Sequence, residues 1–394
     1  MDTRGCFPTP KNSRRQCLIY AALAVVLGLG WEGSLVHNLY GGNWTSLFYH
    51  GYRSGLPNDT FFAGTYVFPD DLGFDGQYYR VIAHDPFMRR NWAQYIDSPT
   101  MRYRRILVPI VAYILAVGQQ RYVDAGFIAA ILLFLFFGVY WLGCFAVLFG
   151  GSAKWGWAFL LAPGVLAGLE RGAVDTALTA LTIGFALYLR EQSRYRLLLV
   201  LLLAGLCRET GVLLILACAG SSLVRRNWPR LALSIASALP TLAWYAYVQM
   251  RNIGGTSQDL MRLPLTDLLD NLIHHDPAYI KNGFYVVQLA YYVAIFGTLL
   301  AFVLAIRYSF GCWKCPEGLA LLAFTATGLL VQPPGLWMQA YHFGRVLAPL
   351  LVLLALQYFP TGSRQWLLPA LMVSPAILLV SLASAVRLVR HLAL

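Results

Sequence analysis

The sequence predicts an all-α polytopic membrane protein, with about ten transmembrane or re-entrant helices and one long polar loop after the first of them. Three observations predict it. The 394 residues are 58% hydrophobic and only 12% charged, about half the charged share of a soluble domain. Mean hydropathy is +0.58. Apolar runs recur from Cys17 onward, and a helical crossing needs about 20 such residues. Closed barrels also span membranes, but their strands read as short alternating segments, not continuous runs.

The formal net charge is +12. In a soluble chain this would point to nucleic acid. In a membrane chain Lys and Arg collect in cytoplasmic loops and at anionic head groups. Membrane lipids are therefore expected partners, and nucleic acid is not.

The first span is 17–36, preceded by Lys11, Arg14 and Arg15. No small-residue cleavage site follows cleanly, so it reads as a retained signal-anchor helix. Residues 1–16 then form a cytoplasmic tail, and 17–394 a single transmembrane domain. The loop 37–105 faces outward, and loops of this length are uncommon unless functional. Further spans are expected at 106–118, 127–149, 155–169 and 173–189.

Next come two apolar stretches short for a crossing, 197–206 and 211–223, joined by Cys207-Arg208-Glu209-Thr210. Arg194 and Arg196 precede them, and Arg225 and Arg226 follow. Basic flanks on both sides predict a re-entrant pair that enters from the cytoplasm and returns. The competing reading is one long helix with a buried charged pair. Later spans are expected at 231–247, 285–306, 318–331, 346–359 and 366–386, with outward loops at 248–284 and 332–345.

Seven cysteines, at positions 6, 17, 144, 207, 218, 312 and 315, form no framework. Cys312-Trp313-Lys314-Cys315 has the spacing of half a zinc site or a redox pair, but no second pair lies near it, and a plain loop pair is the simpler reading.

Chemistry concentrates in the first loop: Gly73 to Arg80, Ala83 to Phe87, Asp97-Ser98-Pro99, and Arg102 to Arg105. Aromatic faces suit sugar rings, arginine forks suit phosphate, and a carboxylate can act as general base towards a hydroxyl. Each residue also has a plainer reading. Asp75 can cap a helix over 77–83. Asp70 and Asp71 can form a turn, and Asp85-Pro86 can stop a helix. Arg102, Arg104 and Arg105 can anchor the next span at head groups, and Tyr78 and Tyr79 can be interfacial belt residues.

Charge inside an apolar stretch costs about 2.5–3.5 kcal/mol at a helix centre and is a functional candidate by default. Glu170-Arg171, with Asp175 one turn on, and Arg208-Glu209 are such positions. They either line a cavity or form internal ion pairs that fix packing. In the third loop, His342 and Arg345 face the head-group region, and Arg345 is either a phosphate partner or an anchor.

The run Phe74-Asp75-Gly76-Gln77-Tyr78-Tyr79-Arg80, followed by Ala83-His84-Asp85-Pro86-Phe87, resembles the DGQ-YY signature of bacterial multi-spanning proteins assigned to surface glycopolymer formation. Asp97-Ser98-Pro99 with Tyr103-Arg104-Arg105-Ile106-Leu107-Val108-Pro109 resembles that group's RIL-P block, and Arg208-Glu209-Thr210 its third element. In layout these proteins are similar to the GT-C superfamily of membrane glycosyltransferases. The resemblance implies a GT-C-like fold in a bacterial cytoplasmic membrane, with the active site outside. It implies inverting transfer from a polyprenyl-phosphate sugar to a glycan, lipid or protein acceptor. On it Asp75 is the base and Arg80, Arg104 and Arg105 offset the leaving phosphate; Gln77, Tyr78, Tyr79, Arg208, Glu209, His342 and Arg345 are the further candidates for binding substrate or phosphate. A divalent metal is another source of that positive charge, though the chain shows no clear metal-ligand spacing. The rival reading is a transporter or flippase of lipid-linked saccharides. Transporters usually pair interrupted helices in related halves, whereas here the polar cluster sits in one unpaired loop. A non-catalytic scaffold in a glycopolymer machine is a third reading.

Overall fold

A computed structural model of the chain describes residues 11–251, 253–254, 266–273, 284–331 and 335–393. Of the described residues 78% are helical. Residues 1–10 of the expected tail, and much of the expected loop 248–284, lie outside the described residues.

Helix α1 (Lys11–Leu39) begins where Arg14 pairs with Glu191 at 3.2 Å and ends at the long loop. These contacts define two ends of the bundle, a loop end and an opposite end. The loop itself is ordered into small elements. Strands β1 (His50–Gly51) and β2 (Val67–Phe68) pair in parallel, then come α2 (Asp75–His84) and α3 (Pro99–Arg104). Helix α4 (Leu107–Leu115) follows, and α5 (Val123–Leu148) leaves the loop end for the opposite end.

The chain then turns back as a 3-10 helix, Ala153–Leu161, pressed along α5. Glycines permit that approach: a Cβ on Gly138 would sit 2.2 Å from the Phe159 ring, and one on Gly156 2.5 Å from the Val139 carbonyl oxygen. Helix α6 (Val165–Arg171) completes the return to the loop end. Helix α7 (Asp175–Arg190) descends through the centre, with every residue but Tyr188 and Arg190 buried. Its threonines would be costly there. Thr179 and Thr182 resolve this by donating to the carbonyls of Asp175 and Leu178, each at 2.8 Å.

Helices α8 (Arg194–Cys207) and α9 (Val212–Val224) form the expected hairpin. Both outer ends lie at the opposite end of the bundle. Arg190, just before α8, pairs with Glu317 at 3.0 Å, and Arg225, just after α9, donates to the Lys314 carbonyl at 2.8 Å. The hairpin tip, Arg208 to Gly211, reaches the loop end.

Helix α10 (Trp228–Arg251) rises, the short α11 (Thr266–Ile273) lies between, and α12 (Phe284–Gly311) descends. Cys312 and Cys315 form a disulfide in the turn between α12 and α13 (Pro316–Leu330); the four other described cysteines are buried thiols. Helices α14 (Ala340–Val346), α15 (Ala348–Leu356) and α16 (Tyr358–Thr361) descend with a 60° bend after α14. Helix α17 (Leu368–Ala393) closes the bundle against α12 and α1.

Ten spans are not what the structure holds. Among the described residues five helices are long and apolar enough to cross a membrane, and a sixth if the bent α14–α16 unit is one span. The excess has a physical source. Stretch 173–189 is apolar because it is buried in the bundle, whereas 106–118, 155–169, 197–206 and 211–223 each bury one face and expose another but form helices too short to cross alone. Helix α4, with nine residues, rises only about 14 Å.

Candidate functional site

Helix α2 starts from an extended Phe74 that makes no side-chain cap. Asp75 is its first helical residue, where the N-terminal dipole favours a carboxylate. The helical period then sorts the motif. Asp75 and Tyr79 are four residues apart and share a face, with Tyr78 beside them. Gln77, Arg80 and His84 fall on the other face. Gly76 brings the helix against the α6–α7 turn: a Cβ there would stand 2.2 Å from the Arg171 carbonyl oxygen.

The Asp75 face looks into a ladder of alternating charge. The Asp75 carboxylate takes Arg102 at 3.0 Å and Arg345 at 2.8 Å. Arg102 is also clasped by both oxygens of Asp97, at 2.7 and 2.9 Å. Arg345 reaches Asp175 at 3.5 Å, and Asp175 is in turn bonded by Arg208. Arg105 pairs with Glu209 at 2.9 Å. Tyr79, wholly buried, joins the branches by accepting from Arg105 at 3.2 Å and Arg102 at 3.4 Å. Six segments of chain thus meet: the loop before α3, then α2, α3, α7, the α8–α9 tip and α14. Burial opposes charge on Asp75, but Arg345 and Arg102 outweigh it and hold its carboxyl well below the usual range.

Beside the ladder lies positive charge with no acidic partner. The Arg171 guanidinium stands over the rings of Tyr49, Phe74 and Tyr341 at 4.7, 5.0 and 5.5 Å. It makes no salt bridge among the described residues. Arg345 shares two of those rings, at 4.8 Å from Phe74 and 5.3 Å from Tyr341. Arg345 Nε, the Tyr341 hydroxyl and Glu209 Oε1 are buried with no hydrogen-bond partner. Buried polar atoms are rarely left so unless another group meets them. Two donors and a spare guanidinium around one carboxylate can hold an oxyanion while that carboxylate faces a hydroxyl.

Of the expected site residues, the structure brings Asp75, Tyr78, Tyr79, Arg105, Arg208, Glu209 and Arg345 together. Tyr78 lies under the Arg102 guanidinium at 5.0 Å. Arg80 is a correction. It is 3% exposed and spent on a bidentate pair with Asp124, both bonds 2.8 Å, backed by Thr65 and the Phe61 carbonyl. His84 joins the same strut, at 3.1 Å from Asp124 and 2.7 Å from Gln120. Gln77 is likewise internal, accepting from the Gly51 amide at 3.1 Å. Arg104 turns away, stacked on Tyr245 at 5.4 Å. His342 borders the cluster but bonds the Gly335 carbonyl at 3.1 Å.

Several plainer readings hold elsewhere. Asp71 forms the turn, accepting from Gly73 at 3.0 Å, and Asp85 ends α2. For Glu170 and Arg171 the plainer reading fails, since neither forms an ion pair among the described residues; Glu170 instead accepts from Trp31 and Ser384, each at 3.2 Å.

Asp97, Arg102, Arg171 and Asp175, which the sequence offered as candidates without a definite role, also join the site, and Tyr341 is the member it missed. Arg102 had a usable signal, because a residue three before Arg105 shares its side of a short helix. Tyr341 had none, since nothing in the chain near 341 points to residue 75. Among the described residues no three His, Cys, Asp or Glu side chains gather as a metal site. An apolar cavity of 490 Å³ opens on the far side of α6, lined by Trp31, Leu166, Glu170, Pro375 and Leu378 among others. No family model, curated protein or solved structure matches the chain, so function is read from the site's own geometry.

Proposed function

We propose that the chain is a membrane glycosyltransferase that moves a sugar from a polyprenyl-phosphate donor to a hydroxyl of a glycan, lipid or protein acceptor. The observation that carries this is Asp75 held between Arg102 and Arg345, with unpartnered donors of Arg345 and Tyr341 and the spare guanidinium of Arg171 beside it. The donor phosphate takes Arg345, Arg171 and the Tyr341 hydroxyl. The apolar cavity one helix away suits an isoprenoid chain. The sugar lies against Tyr78 and Phe74.

A carboxylate gripped by two arginines is a weak base. Phosphate arriving at Arg345 competes for that guanidinium and loosens the grip, so the base gains strength when the donor is bound. Asp75 then removes the acceptor's hydroxyl proton as its oxygen attacks the anomeric carbon. The bond from that carbon to the phosphate oxygen breaks, and its electron pair leaves on the polyprenyl phosphate, whose charge the arginines offset. Attack opposite the leaving group inverts the anomeric centre. The expected site is extracytoplasmic, in a bacterial cytoplasmic membrane.

One observation favours transport of a lipid-linked saccharide instead. Two interrupted elements, the α8–α9 tip and the 60° bend after α14, converge on the buried charges, as in transporter sites. Proteoliposomes carrying radiolabelled polyprenyl-phosphate sugars on one leaflet, with membrane extract as acceptor, separate the two. Label in a new covalent product supports transfer; label that only changes leaflet supports transport.

A further inference from the structure

We infer that the chain has a second anion site, apart from the Asp75 ladder, built for a phosphate ester at head-group depth. It is a cavity of 650 Å³ at the loop end, lined by Arg89, Arg90 and Arg251 together with Asn91, Gln94 and Tyr103 among others. Among the described residues no acidic side chain lines it. Helix α3 divides the two sites. It gives Arg102 to Asp75 on one side and Tyr103 to this cavity on the other.

The arginines are presented by a built turn. Both Asp85 oxygens accept backbone N–H groups, from Arg89 at 2.8 Å and Arg90 at 2.7 Å. Between them Met88 adopts φ +54°, a left-handed conformation that a side-chain-bearing residue rarely takes without outside support. Helix α10 supplies that support: the Tyr247 hydroxyl donates to the Phe87 carbonyl at 2.8 Å, and Arg251 donates to the Met88 carbonyl. The same contacts set Arg251 opposite Arg89 and Arg90. Arg90 is steadied by Asp59 at 2.7 Å and by the Trp92 ring at 4.5 Å. Arg89 and Arg251 have no carboxylate partner among the described residues.

Arg89 stands over the Phe87 ring at 5.4 Å; three arginines lining one cavity with a single carboxylate, Asp59, paired among them leave positive charge for an oxyanion, and their forked donors match phosphate. Depth gives the class. Trp244, Tyr245 and Tyr247 sit on α10 within two turns of Arg251, and Trp and Tyr mark the membrane interface. Arginines just beyond such a belt lie level with lipid phosphates. The inference stands whether or not the chain transfers sugar.

The test uses the full chain in an uncharged sugar-based detergent. Equilibrium dialysis with radiolabelled glycerol 1-phosphate measures the free ester. Native mass spectrometry of micelles doped with phosphatidylglycerol measures the lipid. Arg89→Gln and Arg251→Lys are run beside Arg53→Gln, an exposed arginine outside the cavity. Arg89 is exposed, so its loss leaves the fold intact. Expected is binding that weakens about tenfold or more in Arg89→Gln, falls in Arg251→Lys, and is unchanged in Arg53→Gln. Binding of both probes with this pattern assigns a phosphate-ester site open to either source; binding of the lipid alone with it assigns a head-group site. No binding of either, or binding equal in native protein and Arg89→Gln, overturns the inference.

Discussion

Asp75 sits between two arginines that each hold a second carboxylate, Asp97 for Arg102 and Asp175 for Arg345. Removing its charge therefore strands neither guanidinium. Asp75→Asn is expected to abolish transfer while leaving the detergent melting temperature within a few degrees of native. Arg80→Ala is expected to do the reverse. It leaves the half-buried Asp124 beside His84 without its cation, a loss of about 1–3 kcal/mol, read as a lowered melting temperature. The pH dependence follows from the Asp75 shift. Its carboxyl is held below the usual value of about 3.9, so its ion pairs contribute fully above that value and fade only as pH falls through the lower folded value. The melting difference between native and Asp75→Asn should be flat from about pH 5 to pH 8; a difference that shrinks within that window would show the carboxylate is not so held. Asp75 and Arg105 were legible because carboxylate, rings and arginines crowd one polar loop, and Arg208 and Glu209 because charge inside an apolar stretch is costly. Arg80 was misread because motif membership was taken as site membership, although the helical period already placed it opposite Asp75.

The α8–α9 hairpin is the element on which the ladder depends most. Its two short apolar runs and matching basic flanks are plain in the sequence. Its tip geometry is not, because it rests on one glycine. A Cβ on Gly211 would lie 1.9 Å from the Ala204 carbonyl oxygen, so Gly211→Ala must open the turn that sets Arg208 against Asp175 and Glu209 against Arg105. A loss of about 1–3 kcal/mol in stability together with loss of transfer is expected. A variant with native melting and native activity would show that the tip does not organise the site. Helix α14 tells the same lesson from the other side. Its seven residues carry no strong local signal, yet they bring Arg345 and Tyr341 to Asp75 from 270 and 266 positions away, and only tertiary packing decides that.

At the scale of the whole molecule, the polar loop, the ladder and the second arginine cavity share one end of the bundle. The ends of α8 and α9 and the Cys312–Cys315 turn share the other. All-α membrane character was legible from apolar run length. The span count was not, because helices buried in protein are as apolar as helices in lipid, and α7 is the clearest case. If the two ends face opposite sides, single cysteines replacing the exposed Thr60 and Arg226, in a Cys6→Ser background, will react with an impermeant thiol reagent from opposite sides. Thr60→Cys should label in intact cells and Arg226→Cys only after lysis; the reverse pattern would move the site to the cytoplasm.

In the proposed mechanism Asp75 accepts the acceptor's proton. The most direct measurement compares purified native protein and Asp75→Asn in lipid, each supplied with radiolabelled polyprenyl-phosphate sugars and membrane extract, for both donor binding and transfer. Both are expected to bind donor, and only the native chain to move label into product. Transfer by Asp75→Asn at the native rate would contradict that mechanism.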